Sequence, residues 1–105
     1  MIEQKQKVFV AKLQELPMRI GREVIVDETK IAVFRLSDDR VRAIGGVCPH
    51  SHGPLAEGIV SGDYVYCPLR DYKVSLIDGK VQEPDDGSVA TYEVVIEDDS
   101  VYILL

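Results

Sequence analysis

Runs of three to seven residues rich in Val, Ile, Tyr and Phe recur along this chain, and each is cut off by a turn before a helical period can develop. They are Val8-Phe9-Val10, Glu23-Val24-Ile25-Val26, the run from Lys30 to Leu36, Arg40 to Ile44, Tyr64-Val65-Tyr66, Lys73 to Ile77, Tyr92 to Glu97 and Val101 to Leu104. Asp38-Asp39 joins two of these runs as a hairpin turn, Gly45-Gly46 ends its second arm, and Asp78-Gly79 and Asp98-Asp99 punctuate the later ones. A helical turn is expected only over Ala11 to Leu16, closed off by Pro17. Many short strands with regular turns predict an all-β fold, a small sandwich or barrel, spanning residues 1–105 as a single domain.

The chain has 105 residues, enough for one core, and its 46% hydrophobic content excludes a disordered polymer. Its net charge of -6 is the wrong sign for a phosphate backbone or an anionic membrane surface, so no nucleic-acid and no membrane partner is expected. Residues 1–77 are balanced in charge, whereas 78–105 hold Lys80 against eight acids. Most of those acids flank turns, which favours solvated loop tips over a docking patch for a basic partner. No run approaches the roughly 18 apolar residues of a membrane span, and the residues from Met1 to Lys5 lack an export core, so a cytoplasmic location is expected.

The stretch least like a strand is 45–63, where glycines and prolines crowd around Cys48, His50 and His52. Long loops inside compact domains are usually functional, and this one carries soft ligands. Cys48-Pro49-His50 puts a thiolate and an imidazole on one tight turn, and Cys67-Pro68 opens a second turn with sixteen residues lying between. Such donors suit zinc or an iron–sulfur centre, and each proline stiffens the turn that presents its cysteine. Zinc would draw nominally on Cys48, His50, His52 and Cys67, with only Ser51 between the two histidines. The alternatives are a pair of nearby thiols, able to close a disulfide in an oxidising buffer, or two small buried hydrophobes.

Cys-x-His at 48–50, Gly53-Pro54-Leu55, and Cys67-Pro68-Leu69 followed by Tyr72 and the Leu76-x-x-Gly79 segment together resemble the Rieske-type iron–sulfur domain. The resemblance implies an all-β Rieske-like fold with a two-loop cluster-binding subdomain, in which each loop gives one Cys and one His to a [2Fe–2S] cluster. Matched motif to motif, Cys48, His50 and Cys67 fall on three ligand positions. The fourth, two residues beyond Pro68, is Arg70, and the glycine that follows it in the family is Asp71. A guanidinium stays protonated and has no lone pair for a metal, so the implied cluster is expected to be incomplete or absent.

Within that family the chain is similar to the small subunits of assimilatory NAD(P)H-dependent nitrite reductases, on Val8-Phe9-Val10-Ala11 with Leu13-x-x-Leu16-Pro17, Ala43 to His50, Gly53-Pro54-Leu55 and Cys67-Pro68-Leu69. That similarity implies a large catalytic subunit carrying siroheme, FAD and an iron–sulfur cluster, on which nitrite becomes ammonium. The small chain would then be a docking, stabilising or electron-transfer-related subunit and not catalytic alone. Its expected contact surface is the pair of loops, offering Pro49, Pro54, Leu55, Pro68, Leu69 and Tyr72, with Arg70 as an anchor for a carboxylate. The competing expectation has Leu55 and Leu69 packing the loops on each other. The alternative function is a Rieske-type [2Fe–2S] ferredoxin serving an oxygenase or reductase.

Overall fold

The computed structural model describes residues 6–37, 39–50, 52–69 and 72–105. Nine strands form two antiparallel sheets among these residues: β1 (Lys7–Lys12), β2 (Gly21–Val26), β3 (Thr29–Arg35), β4 (Val41–Gly45), β5 (Ile59–Ser61), β6 (Tyr64–Tyr66), β7 (Lys73–Ser75), β8 (Thr91–Glu97) and β9 (Ser100–Leu104). The larger sheet has the order β1-β9-β8-β4-β3-β2 and the smaller β5-β6-β7. The all-β expectation holds, and among the described residues no helix is long and apolar enough to cross a membrane.

Two hairpins of the large sheet turn on acidic pairs. Asp27-Glu28 joins β2 to β3 between the paired residues Val26 and Thr29, and Asp98-Asp99 joins β8 to β9 between Glu97 and Ser100. All four turn residues have positive φ, from 48° to 68°, the geometry of a two-residue turn whose twist matches that of the strands. The expected turn at Asp98-Asp99 is thus observed, and Asp27-Glu28 forms a second acidic tip that the sequence reading did not name.

Strand β3 divides the interior. Its side chains alternate, so Ile31 and Val33 enter one cluster with Ala11, Leu16, Val41, Ala43, Val101 and Ile103. Ala32 and Phe34 enter a second cluster with Ile44, Leu55, Val65, Val74 and both cysteines. Both faces of β3 are dry, which is why Ile31-Ala32-Val33-Phe34 is apolar without a break. Gly21 lets β2 close onto the second cluster, because a Cβ there would stand 2.3 Å from the Ala56 carbonyl oxygen.

Three boundaries differ from the sequence reading. The expected helical turn over 11–16 is shorter, a single 3-10 turn at Leu13–Glu15, because β1 pairs with β9 as far as Lys12. The run 73–77 stops at Ser75, whose hydroxyl accepts the amides of Ile77 and Asp78 and diverts the chain into a turn. The stretch 45–63 is not all loop, since it contains a 3-10 turn at Leu55–Glu57 and strand β5.

Candidate functional site

Both cysteine loops are closed by backbone hydrogen bonds. In the first, the Leu55 amide donates to the Gly46 carbonyl at 2.9 Å, and Val47 and Pro54 form an antiparallel bridge. Inside that neck the Cys48 amide donates to Gly53 and the Cys48 carbonyl accepts from His52, both at 3.0 Å. The reversal brings His52 to a φ of 60°, a conformation a histidine adopts more readily than a β-branched residue. In the second loop the Cys67 amide donates to the Tyr72 carbonyl at 2.8 Å. The two loops therefore present their cysteines from fixed necks.

Cys48 and Cys67 are fully buried thiols in the same core cluster, so the motif spacing does bring the loops together. His50 lies outside that cluster. Its ring stacks on Tyr72 with centroids 4.7 Å apart and planes 23° apart, and Tyr72 in turn packs against the cluster. His50 Nε2 is hydrogen-bonded to the backbone carbonyl of Asp86, and the Asp86 carboxylate lies 3.9 Å from the same nitrogen. His52 is exposed and borders a separate hollow with Glu23, Lys30, Val47, Pro54 and Glu57.

The loop over 82–88 is the part of this site that sequence reasoning missed. It is pinned by the Asp85 amide donating to Gln82 at 3.1 Å and the Val81 amide donating to the Gly87 carbonyl at 2.9 Å. Gly87 has a φ of 111°, and a Cβ there would stand 3.3 Å from His50 Nε2 and against Pro49. The Asp85-Asp86-Gly87 signal marks a turn, but nothing in its spacing connects it to a histidine 36 residues earlier.

The expected contact surface divides. Leu69 is 62% exposed and Pro68 is exposed beside it, while Pro49, Pro54 and Tyr72 are half-buried. Leu55 does not belong to the surface. It is 0% exposed and sits in the core cluster under the first loop, so for this residue the packing reading replaces the docking one. Val47, exposed on the first loop, takes its place. The fourth ligand position, Arg70, and its neighbour Asp71 lie outside the described residues.

The donor set can be tested against a cluster by its chemistry. Two thiols and one imidazole are present, but the fourth position supplies a guanidinium, which does not fit a four-ligand [2Fe–2S] centre. The present arrangement also commits the His50 ring to Tyr72 and to the Asp86 carbonyl. Among the described residues no three His, Cys, Asp or Glu side chains are placed to share one metal ion.

Comparison with known proteins accords with this architecture. The solved structure assigned as an NADH-dependent nitrite reductase small subunit from Mycobacterium tuberculosis superposes with a TM-score of 0.90 at 24% identity, covering 98% of this chain and 97% of that one. Another, assigned as the small subunit of an NADPH nitrite reductase, gives a TM-score of 0.85 at 27% identity over 95% and 99% of the two chains. The anthranilate 1,2-dioxygenase ferredoxin subunit of Burkholderia cepacia is 31% identical over 80 residues, covering 75% of this chain and 73% of that protein. The oxygenase component of 3-ketosteroid-9-alpha-monooxygenase from Mycobacterium tuberculosis is 42% identical over 45 residues, 43% of this chain, and the match spans only 12% of that much longer protein. The family model for the Rieske-like [2Fe–2S] domain matches residues 6–104, and the two cysteine loops on their three-stranded sheet belong to that match: the chain is a member of the Rieske-like [2Fe–2S] domain family.

Proposed function

We propose that this chain is the small subunit of an assimilatory NAD(P)H-dependent nitrite reductase, docking to and stabilising a large catalytic subunit that carries siroheme, FAD and an iron–sulfur cluster. The observation that carries the reading is the state of the two-loop tip. Its necks are hydrogen-bonded and its cysteines buried, while Val47 and Leu69 beside them are exposed to solvent. Exposed apolar residues beside hydrogen-bonded loop necks suit a protein-binding surface. End-to-end similarity to chains assigned as nitrite reductase small subunits supports the partner's identity.

On this reading Cys48, His50 and Cys67 are the remnant of a ligand set whose fourth member, Arg70, cannot serve, and they persist as scaffold. A second reading, a Rieske-type ferredoxin passing single electrons to an oxygenase or reductase, is supported by similarity to the anthranilate dioxygenase ferredoxin subunit. Arg70 weighs against it, because that role requires an assembled cluster.

The test is affinity for the large subunit. Leu69→Asp places a charge at the centre of the proposed contact and should weaken association at least tenfold, the equivalent of about 1.4 kcal/mol. Unchanged affinity in a folded Leu69→Asp protein would remove the loop tip as the docking surface.

A further inference from the structure

Strands β1, β2, β5 and β7 end the two sheets among the described residues, and three of these edges are guarded. β1 carries Lys7 and Lys12 and a register shift between Phe9 and Ala11. β2 carries Arg22 and Glu23. β7 is covered by the chain that follows it, with Val74 bridged to Val81 and the Gln82 amide donating to the Lys73 carbonyl at 2.8 Å. Charge, irregular pairing and cover are the means by which an edge turns away a foreign strand.

β5 has none of them. Gly58-Ile59-Val60-Ser61-Gly62 holds no charge and no proline, and its register with β6 is unbroken. The two-residue turn Gly62-Asp63 makes Ser61 and Tyr64 a hydrogen-bonded pair, and alternation makes Ile59 and Tyr66 the next one. Val60 therefore turns its N–H and C=O away from β6, while its side chain stays in the core cluster. Beside this edge lies a hollow of about 770 Å³ whose far wall is the segment Met18 to Gly21. Its rim is apolar, with Met18 46%, Ile20 59% and Ile59 72% exposed.

We propose that β5 is the contact between two copies of this chain, paired antiparallel about a twofold axis through Val60. The Val60 amide of each copy then donates to the Val60 carbonyl of the other, Ile59 stands opposite Ser61 and Gly58 opposite Gly62, and the two three-stranded sheets become one of six. A twofold contact must be self-complementary, and this segment is, because its glycines are placed symmetrically about Val60 and no like charges meet within it.

The charges at its ends select the second copy as the occupant. Glu57 immediately precedes Gly58, at one end of the edge. Arg19 borders both the hollow and a smaller one formed with Gly62 and Asp63, which places it at the other end. Neither side chain has an ion pair or hydrogen-bond partner among the described residues, whereas Asp63 is held by Arg40 at 3.1 Å. Antiparallel pairing sets Glu57 of each copy against Arg19 of the other, so the opposite charges meet twice by symmetry. This contact does not depend on the nitrite reductase reading.

The experiment is sedimentation velocity on the full chain over about 10 µM to 1 mM, where a reversible shift from monomer to dimer is expected. Ile59→Lys puts a charge on the exposed edge and should weaken the dimer at least tenfold with the fold intact. Arg19→Glu and Glu57→Arg should each weaken it several-fold, and the double variant should regain the native affinity. The proposal is overturned by a native chain that stays monomeric throughout, by a dimer that is unchanged in Ile59→Lys, or by a double variant no tighter than its two single parents.

Discussion

The His50 ring lies on that of Tyr72, centroids 4.7 Å apart, with Nε2 bonded to the Asp86 carbonyl. Tyr72 thereby links three segments, since its own carbonyl closes the Cys67 loop and its ring packs on the core cluster. Removing the ring by Tyr72→Ala should cost about 2–4 kcal/mol, toward the lower end of large aromatic truncations because the residue is only half-buried. Tyr72→Phe keeps both the stack and the backbone bond and should stay within about 0.5 kcal/mol of the native protein. Urea unfolding of the two variants measures the difference, and equal losses would show that the hydroxyl matters more than the ring.

Leu55 and Leu69 occupy equivalent places in the sequence, each immediately after a proline on a cysteine loop, and the structure separates them completely. Leu55 is fully buried and Leu69 mostly exposed. Leu55→Ala should therefore destabilise the fold by about 2–5 kcal/mol through the cavity it leaves. Leu69→Asp should leave stability within about 0.5 kcal/mol of native. Thermal or denaturant unfolding of both decides it, and a large loss from Leu69→Asp would transfer that residue to the core as well.

The legible parts of this molecule are those in which a few neighbouring residues decide the outcome. The strand runs, the Asp98-Asp99 turn and the spacing that brings Cys48 and Cys67 into one core cluster all depend on local chemistry, and each is realised. What stayed hidden depends on distant packing. Ile59-Val60-Ser61 is too short to show a period and becomes strand β5 only because Tyr64–Tyr66 pairs with it. Leu55 and Leu69 look alike until the 3-10 turn at Leu55–Glu57 directs one of them inward. The Asp86 carbonyl reaches His50 through a loop whose sequence reads simply as a solvated turn.

Glu28 holds a φ of 68° in the turn between β2 and β3, a left-handed conformation that carries steric strain for any residue with a Cβ. Glu28→Gly should relieve that strain and stabilise the protein by about 0.5–1 kcal/mol, after allowing for the greater freedom glycine gives the unfolded chain. The expected sign is a higher denaturation midpoint with an unchanged slope. A lower midpoint would mean that the entropy term prevails at this position.

Asp78 is the titrating group with a structural handle. The Lys80 amide donates to its Oδ1 at 3.0 Å, and this backbone bond, helped by Ser75 and the Lys80 charge, lowers its pKa below the ordinary 3.8. A carboxylate depressed on folding contributes stability that is present above its unfolded pKa and is lost as pH falls through the folded value. Asp78→Asn should therefore flatten the acid limb of the stability profile below about pH 4 and leave the shape of the neutral region unchanged. An acid limb as steep in the variant as in the native chain would assign acid sensitivity to other carboxylates.

On the proposed reading, the identity of residue 70 decides whether this domain can hold a cluster and carry electrons. With arginine there, the donor set is two thiols and one imidazole, and the native chain expressed with iron and purified without oxygen should contain neither iron nor acid-labile sulfide at stoichiometric levels. Arg70→His supplies the missing imidazole at the position the family uses. Assembly would still require His50 to leave Tyr72 and the Asp86 carbonyl, a rearrangement that metal–ligand bonds are strong enough to drive. The variant should take up two irons and two sulfides per chain and show visible charge-transfer bands. A folded but colourless Arg70→His protein would mean that the Tyr72 and Asp86 contacts have fixed the site against the cluster, and Tyr72→Ala combined with Arg70→His would then be the variant to assay. Two irons in the native chain would instead favour the ferredoxin reading over the docking subunit.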